Sequence, residues 1–143
     1  MTRIYTDVVA DLFHWGHVNL FRQLRTLGDY LIVGVNGDEL VAGYKRRPIF
    51  TLTERVAMVS ACRYVDEVIA GAPAPIDAAF IAEHKIDVVA RGDDFSPEAM
   101  DYWYGTPIKL GIFKTVPYTA GISTSAIIQR ILDRQAEWKA QGQ

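Results

Sequence analysis

Short apolar runs alternate along the chain with stretches in which apolar residues recur every three or four positions. The runs, rich in β-branched and aromatic residues, predict strands over Arg3 to Val9, Tyr30 to Val35, Val68 to Ala70, Val88 to Ala90 and Ile112 to Val116. Between them the longer spacing predicts helices. The first spans Gly16 to Leu27 with Val18, Leu20, Phe21 and Leu24 as its buried stripe, and Gly28-Asp29 should end it through a left-handed glycine. A second begins near Glu54 under a Thr53 cap and continues to Val65 through Val56, Val59 and Ala61-Cys62. A third covers Pro75 to His84, and a last one runs from about Ser123 toward Trp138.

Strands regularly separated by helices favour an α/β fold, a doubly wound Rossmann-like parallel sheet covered on both faces. Two segments lack a regular pattern. Asn36 to Thr53 is polar and basic, broken by Gly37, Gly43 and Pro48, and reads as a mobile loop carrying Lys45-Arg46-Arg47; Gly92 to Gly105 reads as a polar, aromatic-bearing connection. No repeat or linker divides residues 1–143, so a single domain is expected, with fraying from Gln135 onward.

Composition narrows the function. With 17 acidic and 15 basic residues there is no overall field to draw in nucleic acid or an anionic membrane, so any anion must be held locally. The single cysteine, Cys62, cannot form an intrachain disulfide, which fits a reducing cytoplasmic compartment. No apolar run approaches the roughly eighteen residues of a membrane span.

The chemistry concentrates where strands hand over to helices. Asp11-Leu12-Phe13-His14-Trp15-Gly16-His17 follows the first strand, and the amino end of the next helix offers unpaired N–H groups to phosphate. Two imidazoles three positions apart can face one crevice and donate hydrogen bonds to a phosphoryl group as its charge builds, with Gly16 leaving room for the phosphates. Gly121-Ile122-Ser123-Thr124-Ser125 opens the last helix and forms a second such end. Lys45, with Arg46 and Arg47, stands on a loop able to close over two phosphates brought together. Zinc is disfavoured, since no cysteine lies near the histidine pair and His84 falls in another helix.

These motifs resemble the cytidylyltransferases that act on phosphocholine, phosphoethanolamine or glycerol 3-phosphate. His14-Trp15-Gly16-His17 matches their HxGH, Arg63-Tyr64-Val65-Asp66-Glu67-Val68 their RYVDEV, and Gly121-Ile122-Ser123-Thr124 the end of their RTEGIST. The resemblance implies a nucleotidyltransferase fold and direct in-line attack by an acceptor phosphate oxygen on the α-phosphorus of CTP. Magnesium would be held mainly by the triphosphate and not by a side-chain site. On that analogy His14, His17, Lys45, Ser123 and Thr124 do the chemistry. Val9, Asp11, Gly16, Arg63, Gly92, Asp94, Gly121 and Ile122 serve the nucleotide, and Asp7, Lys45, Arg46 and Arg91 the acceptor. Arg63 would support the site near a homodimer interface.

The chain departs from the family at three places. Val8-Val9-Ala10 replaces a glycine-initiated turn, Tyr118 replaces the arginine of RTEG, and Ala74 stands where choline-type members carry an aromatic residue. Arg91, Arg46 or Arg47 are candidates to replace the missing charge. With Ala74, phosphocholine loses a cage wall unless Tyr102, Trp103 and Tyr104 rebuild one, and a small phosphonate acid becomes attractive. An adenylyltransferase of the same fold and a nucleotide-binding regulatory dimer without turnover remain alternatives.

Overall fold

The computed structural model describes all of residues 1–143. Five strands form one wholly parallel sheet in the order β3-β2-β1-β4-β5: β1 Arg3–Val8, β2 Tyr30–Asn36, β3 Glu67–Ala72, β4 Val88–Gly92 and β5 Phe113–Val116. Six helices connect or follow them: α1 Trp15–Leu24, α2 Asp38–Ala42, α3 Leu52–Ser60, α4 Ala78–Glu83, α5 Pro97–Lys109 and α6 Thr124–Ala140. The alternation of side chains along β1 divides the core. Ile4 packs with Phe21 and Leu24 of α1 and Val59 of α3 on one face, while Tyr5 packs with Ile81 of α4 and Tyr104 of α5 on the other. The chain is therefore doubly wound, and β1 and β4 flank the point where the winding reverses. Their carboxyl ends leave a crevice there.

Several elements differ from the sequence pattern for physical reasons. The basic segment after β2 is not wholly irregular, because Gly37 caps the short helix α2. Thr51 and not Thr53 caps α3: its hydroxyl accepts from the Glu54 N–H while the Glu54 carboxylate accepts from the Thr51 N–H. The expected connection from Gly92 to Gly105 contains most of α5, started by Ser96 as cap and Pro97 at the first turn, and broken at Tyr104. α1 stops at Leu24, and Gly28 does not turn left-handed. Gly28 is instead needed for close approach, since a Cβ there would lie 2.7 Å from Ile4 Cδ1 and 2.8 Å from the Thr2 carbonyl oxygen. α6 remains helical through Ala140, beyond the point where fraying was expected.

Candidate active site

The crevice at the ends of β1 and β4 encloses about 370 Å³. It gathers Asp7, Val9, Asp11, His14, Gly16, His17, Lys45, Arg46, Arg91, Gly92, Asp94, Ile122, Ser123 and Thr124, almost all of the residues singled out by the sequence. Its size suits a small-molecule ligand.

His14 and His17 are held by the start of α1. His14 is the cap residue: its Nδ1 accepts from the Gly16 N–H at 3.0 Å, and its own backbone N–H donates to His17 Nδ1 at 3.1 Å. Two imidazoles thus make the reciprocal cap that serine and glutamate make elsewhere. A ring nitrogen accepting a hydrogen bond carries no proton, so both rings are neutral with the proton on Nε2. The environment agrees. Burial lowers the His14 pKa, and burial, His14 and Lys45 pull that of His17 down to about 3. The remaining donor of each ring is its Nε2–H, and the ring centroids lie 3.9 Å apart. Gly16 serves this arrangement directly, because a Cβ there would stand 2.8 Å from His14 Cε1.

The start of α6 meets the start of α1. Ser123 caps α6, its Oγ accepting from the Ala126 N–H at 3.0 Å. Thr124 Oγ1 donates to the Asp11 carbonyl oxygen at 2.8 Å and bolts the two helix ends together. That bond consumes the Thr124 hydroxyl proton, so the donors this turn offers an anion are the backbone N–H groups of Thr124 and Ser125, which have no acceptor within the chain.

Asp11 lines the crevice and also holds the loop beside it. Its buried carboxylate accepts from the N–H groups of Ile49 at 2.8 Å, Phe50 at 2.9 Å and Leu12 at 3.1 Å, which spends it on anchoring the basic loop. Lys45 stands before that anchor, and burial together with Arg46 and Arg91 lowers its pKa. Arg46 Nη1 reaches across to Ser125 Oγ at 3.1 Å. On the opposite wall the Arg91 guanidinium lies 3.3 Å from the Phe95 ring centroid and donates to the Tyr104 hydroxyl at 3.0 Å; that hydroxyl donates to Asp7 at 2.6 Å. Tyr44 and Trp103 pair beside this network with centroids 5.1 Å apart, whereas Tyr102 points out to solvent. The buried Thr6 Oγ1, on the crevice floor, has no partner.

Arg63, Gly121 and Arg47 do not line the crevice. Arg63 borders a separate shallow apolar patch with Phe13, Val18, Met58 and Tyr64, away from the crevice of its own chain. Sequence reasoning missed Arg55. This fully buried arginine donates to the carbonyl oxygens of Val9, Asn36 and Phe50 and pairs with Asp38, tying the ends of β1 and β2 to α2 and α3. Its signal was an arginine at helical spacing with Leu52 and Val59 on the inward face.

Residues 5–130 match the model of a family described as cytidylyltransferase-like. The ethanolamine-phosphate cytidylyltransferase of Dictyostelium discoideum is 44% identical over 142 residues, 96% of this chain and 39% of that protein. Choline-phosphate cytidylyltransferase A of Homo sapiens is 43% identical over 133 residues, 91% of this chain and 36% of that protein. The chain therefore spans about two fifths or less of the length of these two relatives. Among solved structures, a lipopolysaccharide core biosynthesis protein from Thermoplasma volcanium GSS1 superposes with a TM-score of 0.66 at 29% identity, covering 85% of this chain and 99% of that one.

Proposed function

This chain belongs to the cytidylyltransferase-like family, and from that premise we propose that it transfers the CMP unit of CTP to a small acceptor bearing a phosphate or phosphonate group, releasing pyrophosphate. The observation that carries the proposal is the convergence of two neutral Nε2–H donors and the open amino end of α6 on one crevice. An acceptor oxygen attacks the α-phosphorus in line with the bond to the β-phosphate; that bond breaks and its electron pair leaves on pyrophosphate. His14 and His17 donate to the phosphoryl oxygens where charge develops, each such donor being worth roughly 10²–10³ in rate. Lys45 bridges donor and acceptor.

The crevice suits magnesium that arrives on the triphosphate. Its carboxylates are committed to the Ile49 and Phe50 amides, to Tyr104 and to Arg91, and no three acidic, histidine or cysteine side chains are grouped to cage an ion. The ion's contribution when bound is to neutralise phosphate charge.

At the acceptor end, Arg91 adds a fixed positive charge and Ala74 supplies no ring, which favours a small acid-bearing phosphonate over phosphocholine. Tyr44 and Trp103 offer aromatic faces to the alternative, an alkylamine phosphate drawn to Asp7. Pyrophosphate release measured with CTP or ATP against phosphocholine, phosphoethanolamine, glycerol 3-phosphate and small phosphonates tests both parts. Preference for ATP would refute the cytidylyl assignment, and preference for phosphocholine would refute the acceptor. The apolar patch around Met58 and Arg63 is proposed to pair two copies. Met58→Glu should then yield monomers in sedimentation, and an unchanged mass would refute the pairing.

A further inference from the structure

Five phenyl, phenol and indole rings line the crevice, and four of them are already engaged. Tyr44 pairs with Trp103, Phe95 lies under the Arg91 guanidinium, and Tyr104 stacks on Phe113 with centroids 5.0 Å apart. Tyr118 meets no other ring and no cation, its hydroxyl has no hydrogen-bond partner, and it is 48% exposed. The backbone that presents it is nevertheless fixed. The Gln23 side chain donates to the Pro117 carbonyl oxygen at 3.1 Å, the Tyr118 N–H to the Asp93 carboxylate at 2.9 Å, and the Asn19 side chain to the Thr119 hydroxyl at 2.8 Å. Three successive residues are tied down while the ring between the ties is left uncommitted. Asn19 and Gln23 belong to α1, the helix that starts at the two histidines, so the ring stands on the histidine side of the crevice. Bare backbone lies against it, since a Cβ on Gly92 would sit 3.6 Å from the ring's Cδ2, and Leu20 and Pro117 add apolar lining on this side. An aromatic face already held in place loses little freedom when a flat, polarisable group covers it.

We propose that Tyr118 is the stacking face for the base of the nucleotide. This rests on the nucleotide reading above and adds which side chain carries the base. On that reading the histidines hold the α-phosphate, the ribose and base extend from it, and Tyr118 is the free ring on that side. The position is one at which this chain departs from the RTEG arginine, so an aromatic face stands there in place of a charge. Stacking needs only a π-face and is tolerant of base identity, so Tyr118 strengthens binding of the base without choosing it, and the choice falls to hydrogen-bonding groups elsewhere in the crevice.

Calorimetric titration of the full chain with CTP, ATP and inorganic tripolyphosphate, in wild type, Tyr118→Phe and Tyr118→Ala, tests it. Loss of the ring in Tyr118→Ala should weaken CTP by roughly 5- to 100-fold while tripolyphosphate, which has no base, changes by less than about 2-fold. Tyr118→Phe should bind CTP as wild type does, because it keeps the face and loses only a hydroxyl without a partner. Equal weakening of CTP and tripolyphosphate would overturn the stack, as would unchanged CTP binding in Tyr118→Ala or equal losses in the two variants; in each of these cases the nucleotide reading survives. If wild type binds ATP and not CTP, the cytidylyl reading fails and the ATP series decides the stack by the same criteria. If it binds neither nucleotide, both fail.

Discussion

His14 and His17 illustrate how one side chain can be structural and chemical at once. Each Nδ1 caps α1 and, on the proposed function, each Nε2–H serves the ligand. His17→Ala should lower kcat by roughly 10²-fold or more while changing CTP binding far less, because a donor that strengthens in the transition state acts on the chemical step. Equal losses in kcat and affinity would contradict that role. The same geometry gives a pH dependence. Above the unfolded value of 6.5 the rings are neutral in both states; between 6.5 and about 3 the unfolded chain takes up protons that the folded His17 refuses. Thermal stability should therefore fall as pH drops through that window, with a shallower slope in His17→Ala. Arg55→Ala should cost about 3 kcal/mol or more in urea unfolding, since it strips donors from three carbonyl oxygens and removes a buried charge partner. At this scale the sequence pointed to the candidate side chains that line the crevice, such as the histidines, Lys45 and Asp11. It concealed Arg55, whose partners are mainly backbone carbonyls brought in from distant segments.

Elements were legible where burial on both faces left no ambiguity, as in β1, β2 and β4. They were obscured where breakers dominated the local pattern: Gly105 and Pro107 hid α5, although its Ser96-Pro97 start carries a clear signal. The two threonines around the start of α3 offered rival caps, and the choice fell to Thr51 because only that spacing reaches the N–H and carboxylate of Glu54 together. One connection remains improvable. Lys85, exposed in the turn between α4 and β4, holds φ at +52°, a conformation cheap for glycine and costly for lysine. Lys85→Gly should leave activity intact and stabilise the protein by about 0.5–1 kcal/mol, read as a higher Tm. A lower Tm would mean that the turn relies on lysine contacts.

At the scale of the whole molecule, the crevice exists because the winding reverses between β1 and β4 and leaves their carboxyl ends uncovered. The alternation of strands and helices made this much readable in advance, and with it the expectation that both helix ends open on one crevice; the bond that joins them is what no local pattern records. The hydroxyl of Thr124 meets the Asp11 carbonyl across 113 positions. On the proposed function, turnover is thereby a gauge of completed folding. A chain cut before Ser123 would keep its imidazoles but lack their counterpart, and in refolding from urea, recovery of pyrophosphate release should trail recovery of far-ultraviolet circular dichroism, since distant closure is slower than local structure.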